Sequence, residues 1–362
     1  MRNWRRLAAR AGGAAIMLAL VYLAAAAVAG WIPLDHPAVA QQGGEVPGGT
    51  LGSASDADIW RDVRRGLQGY VSIPDKQAGV LIQSEGQNWR AIRNGPLSVY
   101  GAWILLGIIA VVALFFALRG RIRIDAGPSG ATVERFNGVE RIAHWLTAVS
   151  FIVLAVSGLN MLYGRYALKP ILGPELFADL TRLGKYAHNY LAFAFMAGLV
   201  LILVLWVRDN LPSRVDLAWL ARGGGLFSRH SHPPARKFNA GQKILFWAVV
   251  LGGLSLSISG IALLFPFEFY MFNGTFKVLN VFGLGLPVDL SSIQEMQLQQ
   301  LWHAAFGLLL IAVIIGHIYI GTVGMEGAFD AMGSGMVDAN WAREHHSLWA
   351  AEAKKAPAPG NE

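Results

Sequence analysis

The sequence predicts an all-α membrane protein: a four-helix transmembrane bundle, preceded by an extra N-terminal transmembrane helix and a signal-like segment. Three observations carry this reading. Of 362 residues, 54% are hydrophobic and only 15% are charged, whereas soluble domains run nearer 25% charged. The apolar residues fall in long blocks, each able to cross a hydrocarbon core with about 20 helical residues. Four histidines, His144, His188, His303 and His317, lie inside those blocks, where an ionisable side chain is costly and marks a functional position.

In chain order, residues 1–40 begin with Arg2, Arg5, Arg6 and Arg10, then an apolar run, then Ala38-Val39-Ala40. That is the pattern of a secretory signal peptide or an uncleaved signal anchor. Residues 41–98 open Gly-rich and then carry Trp60, Tyr70 and Trp89. Aromatic content of this kind argues for a small folded periplasmic appendage rather than a plain linker. Residues 99–123 hold the extra helix, with its apolar core at 99–118. Four further runs at 142–162, 187–207, 244–265 and 301–323 form the bundle domain, 133–325, and residues 326–362 are a tail.

Arginine and lysine counts set the direction. The segment after the extra helix holds Arg119, Arg121, Arg123, Arg135 and Arg141. The segment between the second and third bundle runs holds seven basic residues from Arg208 to Lys243, and that between the third and fourth holds only Lys277. These counts put the C-terminal tail in the cytoplasm and residues 41–98 outside a bacterial inner membrane. The net charge of +7 reflects those flanks, so nucleic acid is not an expected partner; membrane lipid is.

With this topology, His144 and His317 share the inner depth and His188 and His303 the outer depth. His303 and His317 are 14 residues apart on one run. That is close to four helical turns and about 21 Å of rise. Two imidazoles per level suit two haem irons with both axial positions filled, sites that move electrons and bind no substrate. The chain has no cysteine, which excludes disulfides, iron–sulfur clusters and covalent haem attachment. Gly158, Gly198, Ala304, Ala305 and Gly307 leave room for a flat macrocycle, though small residues also serve ordinary helix contacts. His36, His230, His232, His345 and His346 read as surface or interface residues.

Specific strings add a resemblance. Arg141-Ile-Ala-His144-Trp145, Lys237-Phe-Asn-Ala-Gly-Gln-Lys243, Leu301-Trp-His303-Ala-Ala305 and Gly316-His317-Ile-Tyr319 are followed by Trp341-Ala-Arg-Glu-His345-His346. Over 133–349 the chain resembles the cytochrome b (gamma) subunit of respiratory membrane-bound formate dehydrogenase. The resemblance implies two haems b, on His144 with His317 (inner) and His188 with His303 (outer). It implies electrons from a periplasmic iron–sulfur subunit, fed by a molybdenum- or tungsten-pterin subunit that oxidises formate. It implies a quinone pocket at Asn239, Gly241 and Gln242, near His317. Residue by residue, Asn239 and Gln242 also match a helix capping box, and Gly241 lets backbone approach a flat ring. Residues 41–98 are expected to grip the iron–sulfur subunit, an idea that ends if their deletion leaves the complex intact.

Within the same class, a hydrogenase or thiosulfate-reductase cytochrome b stays open. From other classes, so do a histidine-lined transporter or proton channel and a haem-free anchor. The four bundle runs contain no Asp, Glu or Pro, which counts against a transporter built on broken helices.

Overall fold

The computed structural model describes residues 84–228 and 231–353. The signal-like segment, His36, His230 and most of 41–98 lie outside the described residues. Among the described residues, five helical stretches are long and apolar enough to cross a membrane: Asn88–Arg119, Gly138–Ala167, Lys169–Trp206, Ala240–Leu264 and Ser292–Gly324. The first joins α1 (Ser84–Ile92) and α2 (Ser98–Arg119) through a wide turn at Gly95-Pro96. The others contain α3 (Gly138–Ala167), α4 (Lys169–Trp206), α6 (Ala240–Leu264) and α8 (Ser292–Tyr319). Short helices α5 (Arg214–Ala221) and α7 (Met271–Asn280) sit in the connections.

Each bundle helix runs past its apolar stretch because local chemistry starts it earlier. Asn137, Asn239 and Ser291 form reciprocal capping boxes with Glu140, Gln242 and Gln294 at the heads of α3, α6 and α8. Such caps satisfy orphan N–H groups at a helix start. In α4 the backbone breaks at Gly173, with φ of 76°, a conformation open to glycine. Pro174, which has no N–H to donate, then restarts the helix.

Helices α3 and α4 form a long hairpin, α8 packs against α6, and α2 lies along α8. Close approach is made possible at Gly198, whose missing Cβ would strike Thr147 of α3, and at Gly101, where it would strike Leu308 of α8. The core between helices holds Leu159, Phe195, Leu199, Leu308, Ile311 and Ile315. Outward, Trp103, Val111, Val149, Val204, Leu251 and Leu309 are exposed, an apolar belt that only a lipid phase would cover at this extent.

The tail is part of the fold. Strand β1 (Thr132–Glu134) pairs antiparallel with β2 (Met336–Asp338), Val133 opposite Val337. Beyond α9 (Asp330–Gly333) and β2, helices α10 (Ala339–His345) and α11 (Ser347–Ala353) close that end of the bundle. Trp341 is buried there. Arg135 lies between the Phe136, Trp341 and Trp349 rings, 5.1–5.2 Å from their centres.

Candidate functional site

The four intramembrane histidines meet in two pairs, in the combination expected from depth. The rings of His144 (α3) and His317 (α8) are 6.1 Å apart at their centres, inclined at 67°. Those of His188 (α4) and His303 (α8) are 6.2 Å apart, inclined at 65°. A metal–imidazole bond of about 2 Å, plus roughly one more ångström from ring nitrogen to ring centre, puts two imidazoles sharing one ion about 6 Å apart. Both pairs therefore fit an iron between them. Phe151, Phe195 and Leu310, each one heptad along its helix from His144, His188 and His303, are buried, and the two phenyl rings lie 5.9 Å apart.

Each ring of the second pair is held from behind. Nδ1 of His188 lies 2.9 Å from Ser157 Oγ, and Nδ1 of His303 lies 2.9 Å from Ser259 Oγ. Both hydroxyls donate to carbonyls of their own helices, Ser157 to Val153 at 2.7 Å and Ser259 to Ser255 at 2.9 Å. Each hydroxyl is thus left to accept from the ring. The proton therefore sits on Nδ1 and Nε2 keeps its lone pair, the state a metal-binding imidazole needs. A Cβ added to Gly158 or Gly260 would come within 3.6 and 3.4 Å of the Cε1 atoms of His188 and His303. These are ordinary van der Waals distances, so both glycines sit against an imidazole ring without being required by it. Gly198 serves a helix crossing instead, and Gly307 has open space around it.

The first pair has different surroundings. His144 Nδ1 is buried with no partner among the described residues. Both rings open on a cavity of about 1200 Å³ at the tail end of the bundle, which Asn239, Gly241 and Gln242 also line. This exceeds the roughly 300–1000 Å³ of an ordinary small-molecule pocket. The capping box is present in full: Gln242 N donates to Asn239 Oδ1 (2.9 Å) and Asn239 N to Gln242 Oε1 (3.1 Å). It uses the side-chain oxygens and leaves the NH2 groups as donors. Gly241 is backed by Trp219, whose indole would stand 3.0 Å from a Cβ at that position. Its small size thus accommodates an indole from α5.

Three of the residues read as surface or interface groups need correction or detail. His346 is buried, not exposed. Its Nδ1 donates to Arg236 O (2.7 Å) and its Nε2 accepts from Arg135 Nη2 (3.1 Å). The reason is the tail's return across the bundle end, which brings Arg135 over it. His232 pairs with Asp125 at 3.0 Å, and its ring lies 6.1 Å from that of half-buried His345, at the cavity rim. Burial pushes His345 down to about 4, against the pull of Glu344. Burial, with Arg135 beside it, holds His346 well below its usual range.

Paired intramembrane imidazoles, spaced for a metal and set in a bundle of long apolar helices, define a multi-pass membrane cytochrome of the b type. The chain belongs to the prokaryotic cytochrome b561 family, whose model matches residues 135–335; the family implies b-type haem. It is 26% identical over 230 residues to the cytochrome b556(Fdn) subunit of the nitrate-inducible formate dehydrogenase of Escherichia coli K12, covering 62% of this chain and 94% of that protein. It is 28% identical over 225 residues to the formate dehydrogenase cytochrome b556(fdo) subunit of the same organism, with the same coverage. The formate dehydrogenase cytochrome b556 subunit of Haemophilus influenzae is 24% identical over 212 residues, covering 58% of this chain and 78% of that one.

Ser157, Ser259 and Trp219 were not singled out from the sequence. A signal for the serines exists. Phe136-Asn137, Trp145, Leu154 and Ser157-Gly158 recur as Phe238-Asn239, Trp247, Leu256 and Ser259-Gly260, each 102 residues later.

Proposed function

We propose that the chain is the dihaem cytochrome b subunit of a formate dehydrogenase, passing electrons across the inner membrane to quinone. The observation that carries this reading is the meeting of four intramembrane histidines in two pairs, each spaced for one iron, within a chain similar to formate dehydrogenase cytochrome b556 subunits. Bound haem b supplies a one-electron Fe(III)/Fe(II) couple at each level. His188 and His303 would hold the outer group, His144 and His317 the inner one. With two imidazoles given to each haem, the sites would carry electrons rather than bind substrate.

The outer end receives electrons from a periplasmic iron–sulfur subunit, itself fed by a molybdenum- or tungsten-pterin subunit. There formate gives carbon dioxide, one proton and two electrons. At the tail end, quinone takes two electrons and two protons to become quinol in the cavity beside His317. The Asn239 and Gln242 NH2 groups donate hydrogen bonds to a quinone carbonyl, and the protons come from cytoplasmic water. Proton release outside and uptake inside make the electron current across the bilayer electrogenic.

Reduced-minus-oxidised spectra of the purified complex test this. The parent shows two b-type components. His144→Ala and His317→Ala each remove one of them, and the double variant removes no more. His188→Ala and His303→Ala remove the other. Formate still reduces the outer component in His144→Ala, but quinone is no longer reduced. Spectra unchanged in all four variants would refute the ligand assignment.

A further inference from the structure

The outer histidine pair is built on an internal two-fold repeat, and the inner pair is not. Helix α3 carries Leu154-Ala-Val-Ser157-Gly158 and α6 carries Leu256-Ser-Ile-Ser259-Gly260. Each presents its serine to the histidine of the next long helix, α3 to His188 on α4 and α6 to His303 on α8, with the same 2.9 Å contact. The anchoring of the two helices repeats as well. Trp145 and Arg141 donate to carbonyls of α9, the short helix beyond α8, at Met332 and Gly333. Trp247 and Lys243 donate to the turn after α4, at Asn210 and Leu211. The two halves, α3–α4 and α6–α8, thus relate like for like. At the other level the likeness fails: the position matching His144 is Phe246, and no hydroxyl backs the His144 ring, whose Nδ1 is unpartnered among the described residues.

We infer that Ser157 and Ser259 are a matched pair of positioning residues that set the potential of the outer haem below that of the inner one. The inference rests on the haem reading above. A hydrogen bond accepted from Nδ1–H draws that proton away and makes Nε2 the stronger electron donor. A stronger donor favours Fe(III) over Fe(II) and lowers the reduction potential. Two such bonds at the outer level and none to His144 at the inner level slope the pair downhill towards the quinone end. The serines touch neither iron nor quinone; they act through the imidazoles.

Redox titration of the detergent-solubilised complex, followed on the visible haem bands, tests the inference. In Ser157→Ala and Ser259→Ala the lower-potential component rises and the higher stays put. The double variant raises it further and narrows the gap, with haem content unchanged. Ser157→Thr and Ser259→Thr, which keep the hydroxyl, restore the parent potential. If alanine empties the site, threonine must restore both haem and potential, or the assignment falls. Two intact haems with unmoved potentials, or movement of the higher component, overturn it. A parent complex without b-type bands would instead sink the haem reading itself.

Discussion

Asn239 caps α6 through its oxygen and lines the cavity, so one substitution separates the cap from the proposed donor. Asn239→Asp keeps the capping oxygen and loses the donor. The expected result is an unchanged melting temperature with a KM for quinone raised about tenfold, equivalent to about 1.4 kcal/mol for one hydrogen bond. Asn239→Ala loses both, and thermal stability falls by about 1 kcal/mol as well. Steady-state kinetics beside a thermal melt reads the difference, and a KM unmoved by aspartate would leave the residue as a cap alone. His346 gives a second prediction. Its folded-state pKa lies well below 6.5 because the ring is buried against Arg135. A ring with a depressed pKa contributes stability that is present above pH 6.5 and lost as pH falls below it, at about 1.4 kcal/mol per pH unit until the folded-state pKa is reached. Limited proteolysis of the tail should therefore accelerate between pH 6.5 and pH 5, and His346→Ala, which has no proton to take up, should weaken that dependence to the share left by His345.

The five apolar runs were legible as helices, and their histidines paired as depth implied, because lipid leaves the backbone no choice but internal hydrogen bonds. The extra helix at 99–118 appears as α2. What the sequence hid was contact made by small polar groups. Ser157 and Ser259 sit within ordinary apolar helix sequence, and only their recurrence beside Leu and Gly at a constant 102-residue step marks them. His346 reads as a surface or interface residue from its place in the C-terminal tail, whereas the short β1–β2 pairing folds that tail inward. Asn239, by contrast, was correctly legible as a cap. At this scale the seating of α2 is testable. Gly101 has no space for a side chain against Leu308. Gly101→Leu should cost about 1–3 kcal/mol by overpacking, seen in a thermal melt, with both haem components retained because α2 supplies no ligand. Loss of a component would show that α2 supports the metal sites.

For the whole molecule, the proposed separation of formate oxidation from quinone reduction across one bilayer would turn turnover into voltage. Each electron that crosses works against about 2.3 kcal/mol per 100 mV. The complex in sealed vesicles should therefore build a potential, negative on the tail side, when formate and quinone are supplied, and an added ionophore should speed turnover. A voltage-sensitive dye reads the first and quinol formation the second; no dye response during turnover would place both reactions on one face. Helix α8, meanwhile, carries one histidine of each pair on one unbroken rod between positions 303 and 317. A residue inserted there would swing one ring about 100° around the axis, off the partner it now faces. The stretch behaves as a ruler without slack, so side chains along it are free to drift over evolutionary time while its length is not.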